Sequence, residues 1–163
     1  MVILGIDPGS LVTGFGVVSL DDNDCEYLAS GSIKVVGATI GQRLRKVFDD
    51  LEKVVNQHAP DEVAIEQVFM HANPGAALKL GQARGAAIVA ASTGKAVIAE
   101  YSARQVKQAV VGYGNAEKTQ VQQMVKLLLK LSGKLQADEA DALAVAICHA
   151  HSIKYARLLK NKR

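Results

Sequence analysis

Residues 1–20 read MVILGIDPGSLVTGFGVVSL, and the fold turns on how this stretch pairs with itself. A short apolar run ends in one carboxylate, Asp7, followed at once by the turn-forming Pro8-Gly9. A second run of apolar and glycine residues starts at Val12. Two such runs joined by a Gly/Ser turn form a hairpin. Asp7 then stands at the carboxyl end of the first strand, either as a turn former or as one member of a charged site. In the second case, other segments must bring partners to the same edge.

The rest of the chain supplies the remaining layers. CEYLASGSIKV (25–35) alternates as a third strand. Ile40, Leu44, Val47, Phe48, Leu51, Val54 and Val55 recur at helical spacing and mark an amphipathic helix closed by Pro60-Asp61. EVAIEQV (62–68) is a short buried-type strand, and KAVIAEY (95–101) is a fifth. Between them GAALKLGQARGAAIVAAS (75–92) is a helix of small residues, with one face for the core and the other for a second subunit. Ser102 with Gln105 makes a capping box that opens ARQVKQAVV. Asn115 is the expected cap of AEKTQVQQMVKLLLKL, and ADEADALAVAICHAH (137–151) is a helix with an acidic first turn, which the helix dipole favours. A three-strand antiparallel meander followed by parallel strands and helices predicts an α/β fold, a mixed five-stranded sheet with helices on both faces.

The chain of 163 residues is long enough for one domain with a real core, and at 49% hydrophobic content it is not a disordered composition. Aromatic residues make up only 4%, so Ala, Val, Ile and Leu must fill the interior. No apolar run approaches the ~18 residues of a spanning helix. The start of the chain lacks the basic segment of a secretory signal. Cys25 and Cys148 lack metal-type spacing and read as free thiols in a reducing compartment, so a cytoplasmic protein is expected.

A net charge of +3 conceals a segregation. Residues 1–67 hold 5 basic and 11 acidic side chains, and residues 68–134 hold 9 basic and 2 acidic. The last 29 residues hold 5 basic side chains, all within KYARLLKNKR. The expected organisation is a domain over 1–153 followed by a basic tail over 154–163. A phosphate-rich partner accounts for the basic middle, and chance clustering on a solvated surface accounts for it equally well.

Four carboxylates can meet in this arrangement. Glu66 lies at or near the carboxyl end of strand four, so it emerges beside Asp7 if strands one and four are adjacent and parallel. Asp138 and Asp141, three residues apart on one helix, share a face. Glu139 is rotated about 100° from Asp138 and stays outside the set. Four acids on two strand ends and one helix make a hard-oxygen site suited to Mg²⁺ or Mn²⁺. Two such ions polarise a phosphodiester, activate water and stabilise the leaving oxygen. Singly, each acid also has a plain structural reading as a turn former, a strand-end charge or a helix-start residue.

GIDPGSLVTGFG, AIEQVF, ALKLGQARGAAIVAA, ARQVKQAVVGYGNAEKTQVQ and QADEADALAVAICH, in this order and across nearly the whole chain, resemble the RuvC family of Holliday-junction resolvases. The resemblance implies a homodimeric, Mg²⁺-dependent endonuclease of RNase H-like fold that makes paired nicks in four-way junction DNA, with handover from the RuvA–RuvB branch-migration machine. It puts the family's catalytic, metal-holding acids on Asp7, Glu66, Asp138 and Asp141, with two ions per subunit and Mn²⁺ as a substitute. It also implies a base-contacting aromatic at Phe69 and functional lysines at Lys107 and Lys118, the latter both catalytic and DNA-binding. Three positions depart from the family pattern: Leu11 and Ala72 stand where Arg and Lys are common, and Glu139 replaces a small residue.

By its place alone, Phe69 is either a base-stacking aromatic or a core residue closing strand four. Lys118, in the first turn of a helix where the dipole disfavours a cation, suggests an electrostatic task on a phosphate or else an ordinary surface lysine. His58, His71, His149 and His151 have no partner at ligand spacing and read as core or surface residues. Actin-like ATPases and sugar kinases share the Asp-Pro-Gly-Ser turn but need two lobes and a much longer chain. A non-catalytic junction-binding module would keep the basic residues yet has no use for four metal-type acids.

Overall fold

The computed structural model describes residues 1–21, 24–68 and 73–160. Five strands, β1 (Val2–Asp7), β2 (Val12–Leu20), β3 (Cys25–Lys34), β4 (Glu62–Glu66) and β5 (Val97–Tyr101), form one sheet in the order β3-β2-β1-β4-β5. β1, β2 and β3 pair antiparallel, whereas β1–β4 and β4–β5 pair parallel, as the order of elements predicts. The helices are α1 (Ile40–His58), α2 (Pro74–Ala91), α3 (Ala103–Val111), α4 (Lys118–Leu128) and α5 (Ala137–Lys160).

Strand alternation divides the core into two layers. Leu4 and Ile6 of β1, with Val63 and Ile65 of β4, pack against Leu51 of α1 and Ala87 and Ala91 of α2. Ile3, Val18 and Ala64 face the other way, towards Val106, Val125, Leu143 and Ile147 on α3, α4 and α5. With few aromatics, the second layer gains density by bringing backbone close to backbone. A Cβ at Gly5 would lie 2.2 Å from the Ala142 carbonyl oxygen, and one at Gly14 would lie 2.0 Å from that of Asp138. Ala140, Ala142, Ala144 and Ala146 are all fully buried. Glycine on the strands and alanine on the helix therefore seat α5 directly on β1 and β2.

The helix ends follow local chemistry. Thr39 with Gln42 and Ser102 with Gln105 form capping boxes at α1 and α3. At α4 the expectation fails, since the cap is Glu117 and not Asn115. Glu117 is the extended residue that precedes the first turn, and Ala116 just before it is buried in the core. Gln120 then accepts from the Glu117 N–H at 2.8 Å. The last helix also exceeds its expected end at residue 151. No glycine or proline follows to stop it, so it runs to Lys160, through the first part of the basic segment. Among the described residues no helix is long and apolar enough to cross a membrane. Cys25 and Cys148 are both free thiols.

Candidate active site

The parallel register of β1 and β4 pairs Ile6 with Ile65, which leaves Asp7 and Glu66 side by side at the two strand ends. Beside them lies a cavity of about 420 Å³ at the carboxyl edge of the sheet. Asp7, Glu66 and Asp141 line it together with Lys107 of α3 and Lys118 of α4. Asp138 sits one turn before Asp141, over Gly14, and is not part of the cavity wall. Three of the acids expected from spacing and the two lysines implied by resemblance thus share one cavity, with the fourth acid at its margin.

The electrostatics are those of a site with excess negative charge. Burial pushes the Asp7 carboxyl up to about 8, with further upward contributions from its hydrogen bond to Glu66 and from the charges of Glu66 and Asp141. The bond that joins them raises Asp7 and lowers Glu66, so a proton shared by the pair rests on the Asp7 side. Glu66 is itself raised by burial, although the bond from Asp7 and the charges of Lys118 and Lys107 pull it back. Asp141 is raised by burial and countered by Lys118, whose Nζ donates to Asp141 Oδ2 at 2.6 Å. That bond in turn holds Lys118 above its ordinary value, so it is a fixed cation. Like charges brought into one pocket share protons until a cation relieves them.

All these donors are oxygens, the chemistry that suits Mg²⁺ or Mn²⁺. Among the described residues no three acidic, histidine or cysteine groups form a ready-made cation cage. The acids are engaged with each other and with Lys118 instead, and a cation would have to displace the Asp7 proton. The donor set thus fits a divalent ion by type and by its unmet charge.

Glu139 lies off the site as its helical angle requires, for its Oε2 accepts from Ser30 Oγ of β3 at 3.0 Å. Phe69, His71 and Ala72 lie outside the described residues. His149 is buried, and burial lowers its pKa. Its Nδ1 lies 2.8 Å from the Tyr101 hydroxyl and its Nε2 lies 3.2 Å from Glu62. Glu62 opens β4 and Tyr101 ends β5, so this chain ties α5 to both strands. Sequence spacing gives no sign of the Lys118–Asp141 pair, which joins two helices. It does hint at the seat of α5, because Gly14 and Gly16 alternate on one strand face.

The family model described as crossover junction endodeoxyribonuclease RuvC matches residues 3–149. The chain belongs to the RuvC family. A crossover junction endodeoxyribonuclease RuvC from Pseudoalteromonas atlantica is 58% identical over 151 residues, covering 93% of this chain and 87% of the relative. One from Colwellia psychrerythraea is 58% identical over 160 residues, covering 97% and 91%. Among solved structures, Thermus thermophilus RuvC in complex with Holliday junction substrate superposes with a TM-score of 0.89 at 33% identity, covering 96% of both chains. The mixed sheet is therefore the RNase H-like fold of RuvC structures. Of the departures from the RuvC pattern, Leu11 is 74% exposed and Glu139 bonds to β3.

Proposed function

We propose that the protein is a Holliday-junction resolvase, a divalent-metal-dependent endonuclease that makes paired, symmetric nicks in four-way DNA junctions during recombination and repair. The observation that carries this reading is one cavity at the sheet edge, lined by three carboxylates and two lysines, in a RuvC-family chain. Asp7, Glu66, Asp138 and Asp141 would hold the ions, with Mg²⁺ preferred, two per subunit, and Mn²⁺ as a substitute. When bound, such ions supply an activated water and charge stabilisation at the scissile phosphate.

The chain's own residues set up that reaction. If an ion bound, Asp7 would release its proton to solvent, leaving both Asp7 and Glu66 charged to hold it. Lys118, held beside Asp141, supplies a permanent positive charge where a pentacoordinate phosphate would develop negative charge. Lys107 adds a second cation on the α3 side of the cavity. Phe69 would stack on a base near the junction centre, three residues beyond Glu66. Residues 1–153 would form the nuclease domain, and the basic residues of 154–163 an appendage towards phosphate. Handover from RuvA–RuvB and a cytoplasmic location belong to the same reading.

Two symmetric nicks require two sites related by a two-fold axis, so the working unit is a homodimer. Leu78, Gly81, Gly85 and Val89 form one face of α2. Leu78 and Val89 are exposed, and a Cβ at Gly81 or Gly85 would meet nothing within 4 Å. This is the stripe proposed for the subunit contact. Gly85→Leu, harmless to a monomer by space alone, is expected to dissociate the dimer by overpacking. Sedimentation velocity checks it, and an unchanged dimer would move the contact elsewhere.

The overall reading is tested by incubating the protein with labelled four-way junctions, with and without Mg²⁺. Paired symmetric nicks only with Mg²⁺ are expected. Junction binding without cleavage under any divalent metal would favour a non-catalytic module.

A further inference from the structure

We infer that Arg84 of α2 is a positioning residue for Glu66: it fixes the peptide group that follows this acid and so couples α2 to the catalytic edge of the sheet. The inference rests on the nuclease reading for its consequence but not for its geometry. Arg84 reaches from α2 to the end of β4, where its Nε donates to the main-chain carbonyl of Glu66 at 3.3 Å. Its Nη2 donates to Glu100 Oε2 of β5 at 2.5 Å. The Arg84 side chain is only 21% exposed. A planar guanidinium with two separate acceptors has little freedom to swing.

The same peptide is held from its other end. The N–H of Gln67 donates to the Tyr101 carbonyl at 2.8 Å. Thus the carbonyl of the Glu66–Gln67 peptide is fixed by Arg84 and its N–H by Tyr101. The orientation of that peptide sets the final backbone torsion of Glu66 and the direction in which the chain leaves the strand. The chain returns at Asn73, which caps α2, and Arg84 lies in the third turn of that helix. It therefore closes a ring from the helix back to the start of the segment that leads into it. Gly85, on the face of α2 proposed to meet the second subunit, is its immediate neighbour. Surface attraction alone does not account for Arg84, because one of its two acceptors is an uncharged main-chain oxygen at the catalytic edge. A shift of about 1 Å at such a position costs on the order of a hundredfold in rate.

The test uses the full chain and four readouts: amide hydrogen exchange, Mn²⁺ binding by calorimetry, junction affinity without metal, and single-turnover cleavage in Mg²⁺. Arg84→Gln is expected to speed exchange of the Gln67 amide about tenfold or more while Ala64 and Ile65 stay protected. It should weaken Mn²⁺ binding several-fold and slow cleavage about tenfold or more, with junction affinity within about twofold of wild type. Arg84→Lys, which keeps the charge but cannot hold both acceptors at once, should recover only part of each loss. Glu100→Gln, which leaves the bond to Glu66 intact, should keep Gln67 protected. Unchanged Gln67 exchange in Arg84→Gln overturns the inference. So does faster exchange throughout the sheet with a falling melting temperature, which marks a general packing role. Weakened junction affinity with normal cleavage of bound junction would make Arg84 a phosphate contact instead. If wild type neither binds Mn²⁺ nor cuts junctions, the nuclease reading fails, while Gln67 exchange still decides whether the peptide is clamped.

Discussion

Asp7→Asn, Glu66→Gln, Asp138→Asn and Asp141→Asn are each expected to abolish junction nicking, by a factor of about a thousand or more, while junction binding without metal stays near wild type. The separation follows from the division of labour in the site. On the proposed reading the acids would gather the ions and shape the attack on phosphorus, whereas phosphate contact and steering would come from Lys107, Lys118 and the basic middle of the chain. Glu139→Gln is the internal control, because its carboxylate bonds to Ser30 of β3 and is directed off the cavity. Gel-shift and single-turnover nicking assays on one labelled junction give both quantities. An amide variant that nicks at the wild-type rate would remove that residue from the site.

The same acids give a pH signature with a definite sign. Asp7 has an ordinary value of 3.8 and is pushed up to about 8 in the folded chain. Across that window the folded protein keeps a proton that the unfolded chain has released. By linkage, the metal-free protein loses stability as pH rises from about 4 to about 8, and this contribution is level above that. Glu66 and Asp141, also raised, act in the same direction. A divalent ion must displace the Asp7 proton, so apparent metal affinity should climb with pH until about 8. Asp7→Asn should melt with a shallower dependence on pH, and calorimetric Mn²⁺ titrations from pH 6 to 9 check the second half.

Much of this architecture is legible in the sequence because it rests on periodicity. The apolar run before Asp7 and the stretch VAI before Glu66 mark strands whose ends carry acids, and three-residue spacing puts Asp138 and Asp141 on one helix face. What escapes is set by contacts between distant segments. Lys118 meets Asp141 only because α4 and α5 pack together, and Arg84 meets Glu66 only because α2 folds back across β4. The cap of α4 falls at Glu117, boxed with Gln120, and not at Asn115, a choice that depends on how the buried Ala116 is seated in the core. His149 is a core residue, as its lack of ligand spacing suggests, but its hydrogen bonds to Tyr101 and Glu62 are long-range facts.

The seat of α5 leads to the second large effect. Gly14 pairs with Asp7 across the β1–β2 ladder, and directly above it lies the Asp138 carbonyl. Gly14 therefore stands between an acid on the sheet and the helix turn that carries two more. An added Cβ would lie 2.0 Å from the Asp138 oxygen and 2.7 Å from its carbonyl carbon, both backbone atoms that no rotamer change can move. Gly14→Ala must then lift the first turn of α5, and with it Asp138 and Asp141, away from Asp7 and Glu66. The expected cost is about 1–3 kcal/mol of stability from overpacking and about a hundredfold or more in nicking, since displacements of about 1 Å cost that much at a reacting centre. Gly41→Ala near the start of α1 is the contrasting change. Its Cβ would have Thr39 Oγ1 at 4.0 Å as its nearest neighbour, so it should leave nicking unchanged and stabilise the helix by roughly 0.5–1 kcal/mol. Thermal melts, with nicking measured well below both transitions, separate lost fold from a displaced site. A folded Gly14→Ala protein that nicks like wild type would show that the acids do not depend on how closely α5 approaches the sheet.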